Sequence, residues 1–163
     1  MSAAEQSGSP VLFGATRASA LPLAEQLKLL RTGDVMTYCF HQGGGSIMED
    51  GRVLDCVWDA RERCVLFDVG DGANALGFEV AEVAIAEGFL PDALSSEHYQ
   101  HHFLPEPDHD LLQVVSKMIA PGMTAEQYWS RVTSVLAQVL GLGSEIRTAS
   151  ADLRPHNLYH SLC

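Results

Sequence analysis

Residues 64–72, CVLFDVGDG, decide the fold class of this chain. An unbroken apolar run that ends in glycines and an aspartate is typical of a buried strand of a parallel sheet, with a loop at its carboxyl end. Three further stretches are also interpreted as strands or strand ends: VLF at 11–13, VMTYCF at 35–40 and PDALSS at 91–96. The sequence therefore predicts four parallel strands.

Stretches with apolar residues at helical spacing lie between and after these strands. They cover residues 22–31, 53–63, 76–88, 111–122 and 124–141. Gly88 is the predicted C-cap of its helix, and Thr124 with Gln127 forms a predicted capping box. Residues 41–51, HQGGGSIMEDG, are predicted to form a loop because of their glycines. This alternation indicates an α/β fold with helices covering a parallel sheet.

Composition and charge exclude several classes of function. The chain has 163 residues, and 21 acidic against 10 basic residues give a net charge of −11, which would repel nucleic acid and anionic membranes. No apolar run reaches the roughly 18 residues of a membrane helix, and the N-terminal MSAAEQSGSP lacks the features of a secretory signal. We therefore expect a cytoplasmic protein, with organelle import left open.

Four side chains at the predicted strand ends form the candidate site: Leu12, Tyr38, Asp71 and Glu97. If the sheet curls into a barrel, its strand ends meet at one mouth. Two carboxylates there could bind a hard cation or share acid and base roles. Alternatively, Asp71 stabilises a glycine-rich turn and Glu97 is a solvated loop residue or a helix cap.

A second candidate site is the histidine-rich segment 98–102, HYQHH. His98 and His101 are three residues apart and would share a face of one helical turn, as metal-binding histidines do. Pro105 and Pro107 interrupt the segment that follows. The alternative is a solvated loop whose histidines titrate near neutral pH.

Most of the chain, from about residue 10 to residue 153, resembles the second half of the dihydroorotase-like deacetylases of the amidohydrolase superfamily. The agreement is carried by LRTGDVMTYCF (30–40), DGRVLDCVWDARERCVLFDVGDG (50–72), FEVAEVAIAEGFLPDALSSE (78–97), SKMIAPGMTAEQYWSRVT (116–133) and LAQVLGL (136–142). The resemblance implies a partial TIM-type barrel, with four β/α units that correspond to strands five to eight. Residues 10–142 would form this half barrel with its C-terminal helices, after a flexible lead (1–9) and before an extension (143–163).

Members of that family are metal-dependent hydrolases of cyclic amides or N-acylated amino acids. The resemblance places their metal ligands on an H-x-H pair of the first strand, a carboxylated lysine of the fourth, histidines of the fifth and sixth, and an aspartate of the eighth. Here Leu12 and Tyr38 stand at the two histidine positions, Asp71 replaces the histidine of a G-H-G word, and Glu97 replaces the catalytic aspartate. Leucine has no lone pair, and a neutral phenol is a poor zinc ligand.

The substituted ligand positions predict a protein that is not an enzyme, a degenerate half barrel with a structural or protein-interaction role and no cofactor. The alternative is a metal-dependent amidohydrolase or deacetylase with a rebuilt site. Zinc or another divalent metal would then be held by Asp71, Glu97, His98 and His101, with Glu97 at the catalytic position. Either way, four open parallel strands would expose two edges, so we expect a protein partner or a second copy to cover them.

Overall fold

The structure is a computed structural model, which describes residues 6–15, 19–72, 75–97 and 110–145. His98 and His101, with the whole histidine-rich segment, lie outside the described residues. The same holds for most of the predicted C-terminal extension.

A parallel sheet is built from β1 (Leu12–Gly14), β2 (Val35–Thr37) and β5 (Leu66–Phe67), in the order β1-β2-β5. An isolated parallel bridge between Asp68 and Ala93 adds the fourth predicted stretch beyond β5. The predicted α/β arrangement of parallel strands is therefore confirmed. Its fourth member is a single bridge and not a full strand.

Six helices with named bounds surround this sheet in the described residues. They are α1 (Leu23–Lys28), α2 (Asp55–Glu62), α3 (Phe78–Ala86), α4 (Leu111–Ile119), α5 (Ala125–Val132) and α6 (Ser134–Val139). Gly88 ends α3 as predicted: its φ is +87°, and Phe89 donates its backbone N–H to the Ala84 carbonyl at 2.8 Å, as in a Schellman motif. None of the helices in the described ranges is long and apolar enough to cross a membrane.

Two predicted elements differ from the structure. Residues 41–51 are not only a loop, because β3 (Met48–Glu49) and β4 (Arg52–Val53) form an antiparallel hairpin. Asp50 and Gly51 both have positive φ, which suits the tight turn between right-twisted strands.

The predicted helix 124–141 is broken at Thr133 into α5 and α6. Thr133 has φ −130° and ψ −96°, and its hydroxyl donates to the Trp129 carbonyl at 2.6 Å. A threonine that bonds to the backbone four residues earlier competes with regular helix geometry. The capping box at Thr124 and Gln127 is confirmed.

The strand register divides the sheet into two faces. Phe13, Met36 and Phe67 are opposite one another, and the Phe67 ring meets Phe89 edge to face at 5.1 Å, with Trp58 of α2 a further 5.2 Å from Phe89. This face packs against the helices and forms the core. The other face carries a lower row of Leu12, Val35 and Leu66, and an upper row of Gly14, Thr37, Asp68, Ala93 and Ser95 near the carboxyl ends of the strands.

Candidate functional site

A hydrogen bond from the Tyr38 hydroxyl to the Glu97 carboxylate joins the carboxyl end of β2 to the segment after Ala93. Tyr38 has φ +61° and Glu97 has φ +46°, the left-handed region that side-chain-bearing residues seldom adopt. Such strain persists only where the surrounding structure fixes it, and it is concentrated at functional sites in proteins. The two family-site positions at 38 and 97 therefore meet directly.

Three glycines leave room for the Tyr38 ring. A Cβ at Gly14, on β1, would lie 2.9 Å from Tyr38 Cε2, and a Cβ at Gly70 would lie 3.1 Å from Cδ1 and collide with the Thr37 hydroxyl. At Gly72 a Cβ would lie 3.1 Å from Glu97 Oε2. The ring therefore occupies a slot between the end of β1 and the loop that follows β5.

Asp68 lies beneath this pair and connects β2 to the last strand position. Its Oδ2 accepts hydrogen bonds from Thr37 Oγ1 at 2.7 Å and from Ser95 Oγ at 2.6 Å. Among the described residues, its buried Oδ1 has no hydrogen-bond partner. Burial raises the pKa of Asp68, and the charge of Glu97 raises it further against the effect of the two hydroxyl donors.

Asp71 is paired with a lysine from a distant helix. Its Oδ2 lies 2.6 Å from Lys117 Nζ of α4, and Asp71 is only 2% exposed. This ion pair attaches α4 to the loop after β5. The sequence predicted that Asp71 either stabilises a turn or binds a metal, and neither prediction included a contact with Lys117.

Leu12 lies on the same sheet face as Val35 and is 67% exposed. On β1 the residue next to the Tyr38 ring is Gly14, not Leu12. The structure thus joins Tyr38 with Glu97, while Asp71 is paired with Lys117 and Leu12 lies on an exposed edge strand. That Leu12 and Asp71 line a substrate mouth stays a prediction.

Sequence reasoning missed Thr37, Asp68, Ser95 and Lys117. One signal for Asp68 was present, since it is a charged residue inside the apolar run VLFDVG. Its hydroxyl partners follow from the strand register, which places all three side chains on one face. Lys117 had no comparable signal, because 46 residues separate it from Asp71.

The described side chains do not fit a metal centre. Across residues 6–15, 19–72, 75–97 and 110–145, no group of three or more His, Cys, Asp and Glu residues is arranged to hold a metal ion. Of the candidate ligands, Glu97 accepts a hydrogen bond from Tyr38, and Asp71 bonds to the ammonium group of Lys117. The donor set also lacks the imidazole nitrogens that zinc prefers.

Comparisons with known proteins agree with the resemblance in the sequence. The chain is 37% identical over 128 residues to a deacetylase of Agrobacterium fabrum, which covers 76% of this chain and 30% of that protein. It is 36% identical over 128 residues to a deacetylase of Brucella anthropi, and this match covers 76% of this chain and 31% of that protein. It is 30% identical over 118 residues to a deacetylase of Enterococcus faecalis, and this match covers 71% of this chain and 32% of that protein. No family model matches the chain.

Two solved structures share the fold. An adenine deaminase superposes with a TM-score of 0.72 at 29% identity, covering 80% of this chain and 36% of that one. A dihydroorotase superposes with a TM-score of 0.71 at 33% identity, covering 85% and 36%. The chain spans about a third of the length of the proteins it matches. Over the matched residues it is thus a homologue of proteins named deacetylases, and its structural neighbours are an adenine deaminase and a dihydroorotase, which are amidohydrolase-superfamily proteins.

Proposed function

We propose that this chain is a non-catalytic half barrel, equivalent to strands five to eight of the deacetylases, which acts as a structural or protein-interaction subunit. The observation that carries the proposal is the hydrogen bond between Tyr38 and Glu97. In a working metal site these positions would direct donor atoms toward an ion. Here the Tyr38 hydroxyl donates its hydrogen bond to the Glu97 carboxylate instead.

The remaining acidic groups support the same conclusion. Asp71 is neutralised by Lys117, and Asp68 accepts from two hydroxyl groups. Lengthening an aspartate to Glu97 also displaces the carboxylate by about one methylene, and a misplacement of about 1 Å can reduce a rate roughly a hundredfold. These contacts support the proposal that the chain has lost the hydrolase activity of the family that it resembles.

The competing proposal is a metal-dependent amidohydrolase or deacetylase, because the relatives are named deacetylases. Its ligands would be Asp71 and Glu97 together with His98 and His101. This arrangement would require Glu97 to release Tyr38 and Asp71 to release Lys117.

Metal content and turnover separate the two proposals. Purified protein would be incubated with Zn²⁺ or Mn²⁺, desalted, and analysed for bound metal and for hydrolysis of N-acetyl amino acids and dihydroorotate. We expect substoichiometric metal and no turnover, with the Agrobacterium deacetylase as the active control. Stoichiometric metal that is lost in Glu97→Ala, with turnover abolished by a chelator, would establish the enzyme instead.

We also propose a protein partner, either another protein or a second copy, at the free edge of β1. Within the described residues β1 pairs on one side only, with β2, and Leu12 on this strand is 67% exposed. An unpaired strand edge next to an exposed leucine favours pairing with another chain.

Light scattering after size-exclusion chromatography tests this proposal, because it compares the mass in solution with the 17.7 kDa of one chain. We expect a mass above that of the monomer, alone or with a copurified protein, and Leu12→Lys should return it to the monomer. Leu29→Lys is the matched control, because Leu29, the residue that follows α1 as its C-cap, is similarly exposed, at 72%, but is not part of the sheet edge. A wild-type monomer would exclude self-association, and a monomer that copurifies with nothing would contradict the partner altogether.

A further inference from the structure

We propose that the Tyr38 ring fills and blocks the space at the carboxyl ends of the strands, and we call the ring the plug. We further propose that the hydrogen bond to Glu97 holds the ring in this position, and we call Glu97 the latch. The functional part of this inference rests on the proposed function, because a substrate cannot enter a site that the Tyr38 ring fills. Its structural content is separate: one ring fills the slot between the strand ends and one hydrogen bond keeps it there.

The fit of the slot supports the plug. Gly14 borders one edge of the ring, at Cε2 and Cδ2, and Gly70 and Gly72 border the other, at Cδ1 and Cε1. Any side chain at Gly14 or Gly70 would enter the space that the ring fills. The glycines and the tyrosine are therefore complementary, and the slot is full as long as the ring stays in place.

The position of the latch supports the second part. The phenol reaches from the end of β2 to Glu97, and Gly72, in the loop after β5, lies beside both side chains: a Cβ there would be 3.1 Å from Glu97 Oε2 and 3.7 Å from Tyr38 Cε1. The hydrogen bond thus connects two strand ends across a third. Below it, Asp68 connects the same two chain segments through Thr37 and Ser95.

The backbone strain supports a specific role over accidental packing. Tyr38 and Glu97 both occupy the left-handed region, and each is on one end of the same hydrogen bond. A strained backbone at both ends of one contact requires compensation from that contact and its surroundings. Asp50 is a useful contrast, since it has a similar φ of +51° in an exposed turn.

A double-mutant cycle tests the latch. Tyr38→Phe removes the hydroxyl, Glu97→Ala removes the acceptor, and each is expected to lower Tm by about 3 °C, with no further loss in the double variant. Tyr38→Phe combined with Glu25→Ala, an exposed residue of α1, should give additive losses. Additive losses in the Tyr38 and Glu97 pair would overturn the latch.

A second cycle tests the plug. Gly14→Ala places a methyl group against the ring and should lower the Tm of the wild type, but it should have little effect in a Tyr38→Ala background, where the ring is absent. Gly143→Ala is the control, because its Cβ would meet Gln138 at an ordinary 3.5 Å. An equal loss from Gly14→Ala in both backgrounds would overturn the plug.

Chemical rescue is independent of the cycles and covers the case in which Tyr38→Ala is too unstable. Tyr38→Gly relieves the backbone strain and opens the slot, and p-cresol should then raise Tm of this variant but not that of the wild type. Asp50→Gly, which relieves strain without opening a slot, should not respond to p-cresol. No rise in Tyr38→Gly would contradict a ring-shaped slot.

The outcomes distinguish this inference from the proposed function. Coupling between positions 38 and 97 together with metal-dependent turnover would retain the latch and reject the non-catalytic proposal. An absence of coupling with no metal and no turnover would reject the latch and leave the proposed function intact.

Discussion

Buried carboxylates lie at both ends of the sheet, but they are held in different ways. At the amino ends, Asp34 is 1% exposed and accepts hydrogen bonds from the Arg31 guanidinium at 3.0 and 3.2 Å and from the Val11 N–H at 2.8 Å. At the carboxyl ends, Asp68 is 5% exposed and its donors are neutral hydroxyl groups. Asp34 is thus fixed by a cation together with backbone N–H groups, whereas the donors to Asp68 are neutral hydroxyl groups. The Lys117 ion pair at the carboxyl ends is made by Asp71 and not by Asp68.

The pKa shifts follow this difference. Burial opposes ionisation of Asp34, but the hydrogen bonds from Arg31 and from the Val11 N–H, together with the charge of Arg31, outweigh burial, and the pKa of this carboxyl lies below its ordinary value. Burial dominates at Asp68, whose pKa is raised. In parallel α/β barrels the amino-terminal end serves stability and the carboxyl-terminal end serves function. The Asp34 end therefore fits a role in stability, whereas the Asp68 end keeps a buried carboxylate whose ionisation is disfavoured.

The largest effect should come from the amino end. Asp34→Ala removes the acceptor that ties the start of β1 to the start of β2 and should lower the free energy of unfolding by about 3 kcal/mol, as measured by urea denaturation. Asp59→Ala is the control, because Asp59 is exposed on α2 and its loss should change stability by less than about 0.5 kcal/mol. If Asp34→Ala and Asp59→Ala lower the free energy of unfolding equally, Asp34 does not stabilise the amino end of the sheet.

A smaller effect is expected from the ion pair between Lys117 and Asp71 at the carboxyl end. Lys117→Met removes the ammonium beside buried Asp71 and should lower the free energy of unfolding by about 2 kcal/mol. Adding Asp71→Asn should restore part of the loss, since the buried charge is then gone. Lys28→Met, at an exposed ion pair of α1, should change stability by less than about 1 kcal/mol. If Lys117→Met is as mild as Lys28→Met, α4 is not anchored through Asp71.

The smallest effect, and the sharpest contrast, is in the dependence of stability on pH. Because the pKa of Asp68 is raised, its charged form opposes folding, so the wild type should gain stability relative to Asp68→Asn as pH falls from about 7 toward about 3.9. Because the pKa of Asp34 is lowered, the wild-type advantage over Asp34→Asn should be complete above about 3.9 and be lost at lower pH. Denaturation of the three proteins across this range checks both signs, and parallel slopes would contradict them.

Local patterns in the sequence predicted much of this fold. The apolar runs located the strands, glycine located the end of α3, and the S/T-x-x-Q pattern located the start of α5. The hairpin of β3 and β4 was missed because the three glycines at 43–45 favour a loop, although Asp50-Gly51 is itself a hairpin-turn signal. The break at Thr133 was missed because apolar spacing continues through it.

The candidate site was predictable only in part. Tyr38, Asp71 and Glu97 were found because strand ends can be read from local sequence and the family words mark them. Their partners could not be found in this way. Whether Glu97 would face a metal, water or Tyr38 depends on how far apart two strand ends lie, and 59 residues of chain separate the two side chains.

The sequence by itself determined the order of the parallel strands and of the helices between them, the positions of the glycines and the absence of imidazoles at residues 12 and 38. These are local properties, set by periodicity, by backbone preferences and by the chemistry of single side chains. Only the tertiary structure decided that the Tyr38 ring lies among three glycines, that Lys117 neutralises Asp71 and that Asp68 is fixed by hydroxyl groups. Such contacts depend on distances between remote segments, which are fixed when the strands pair and the helices pack around them.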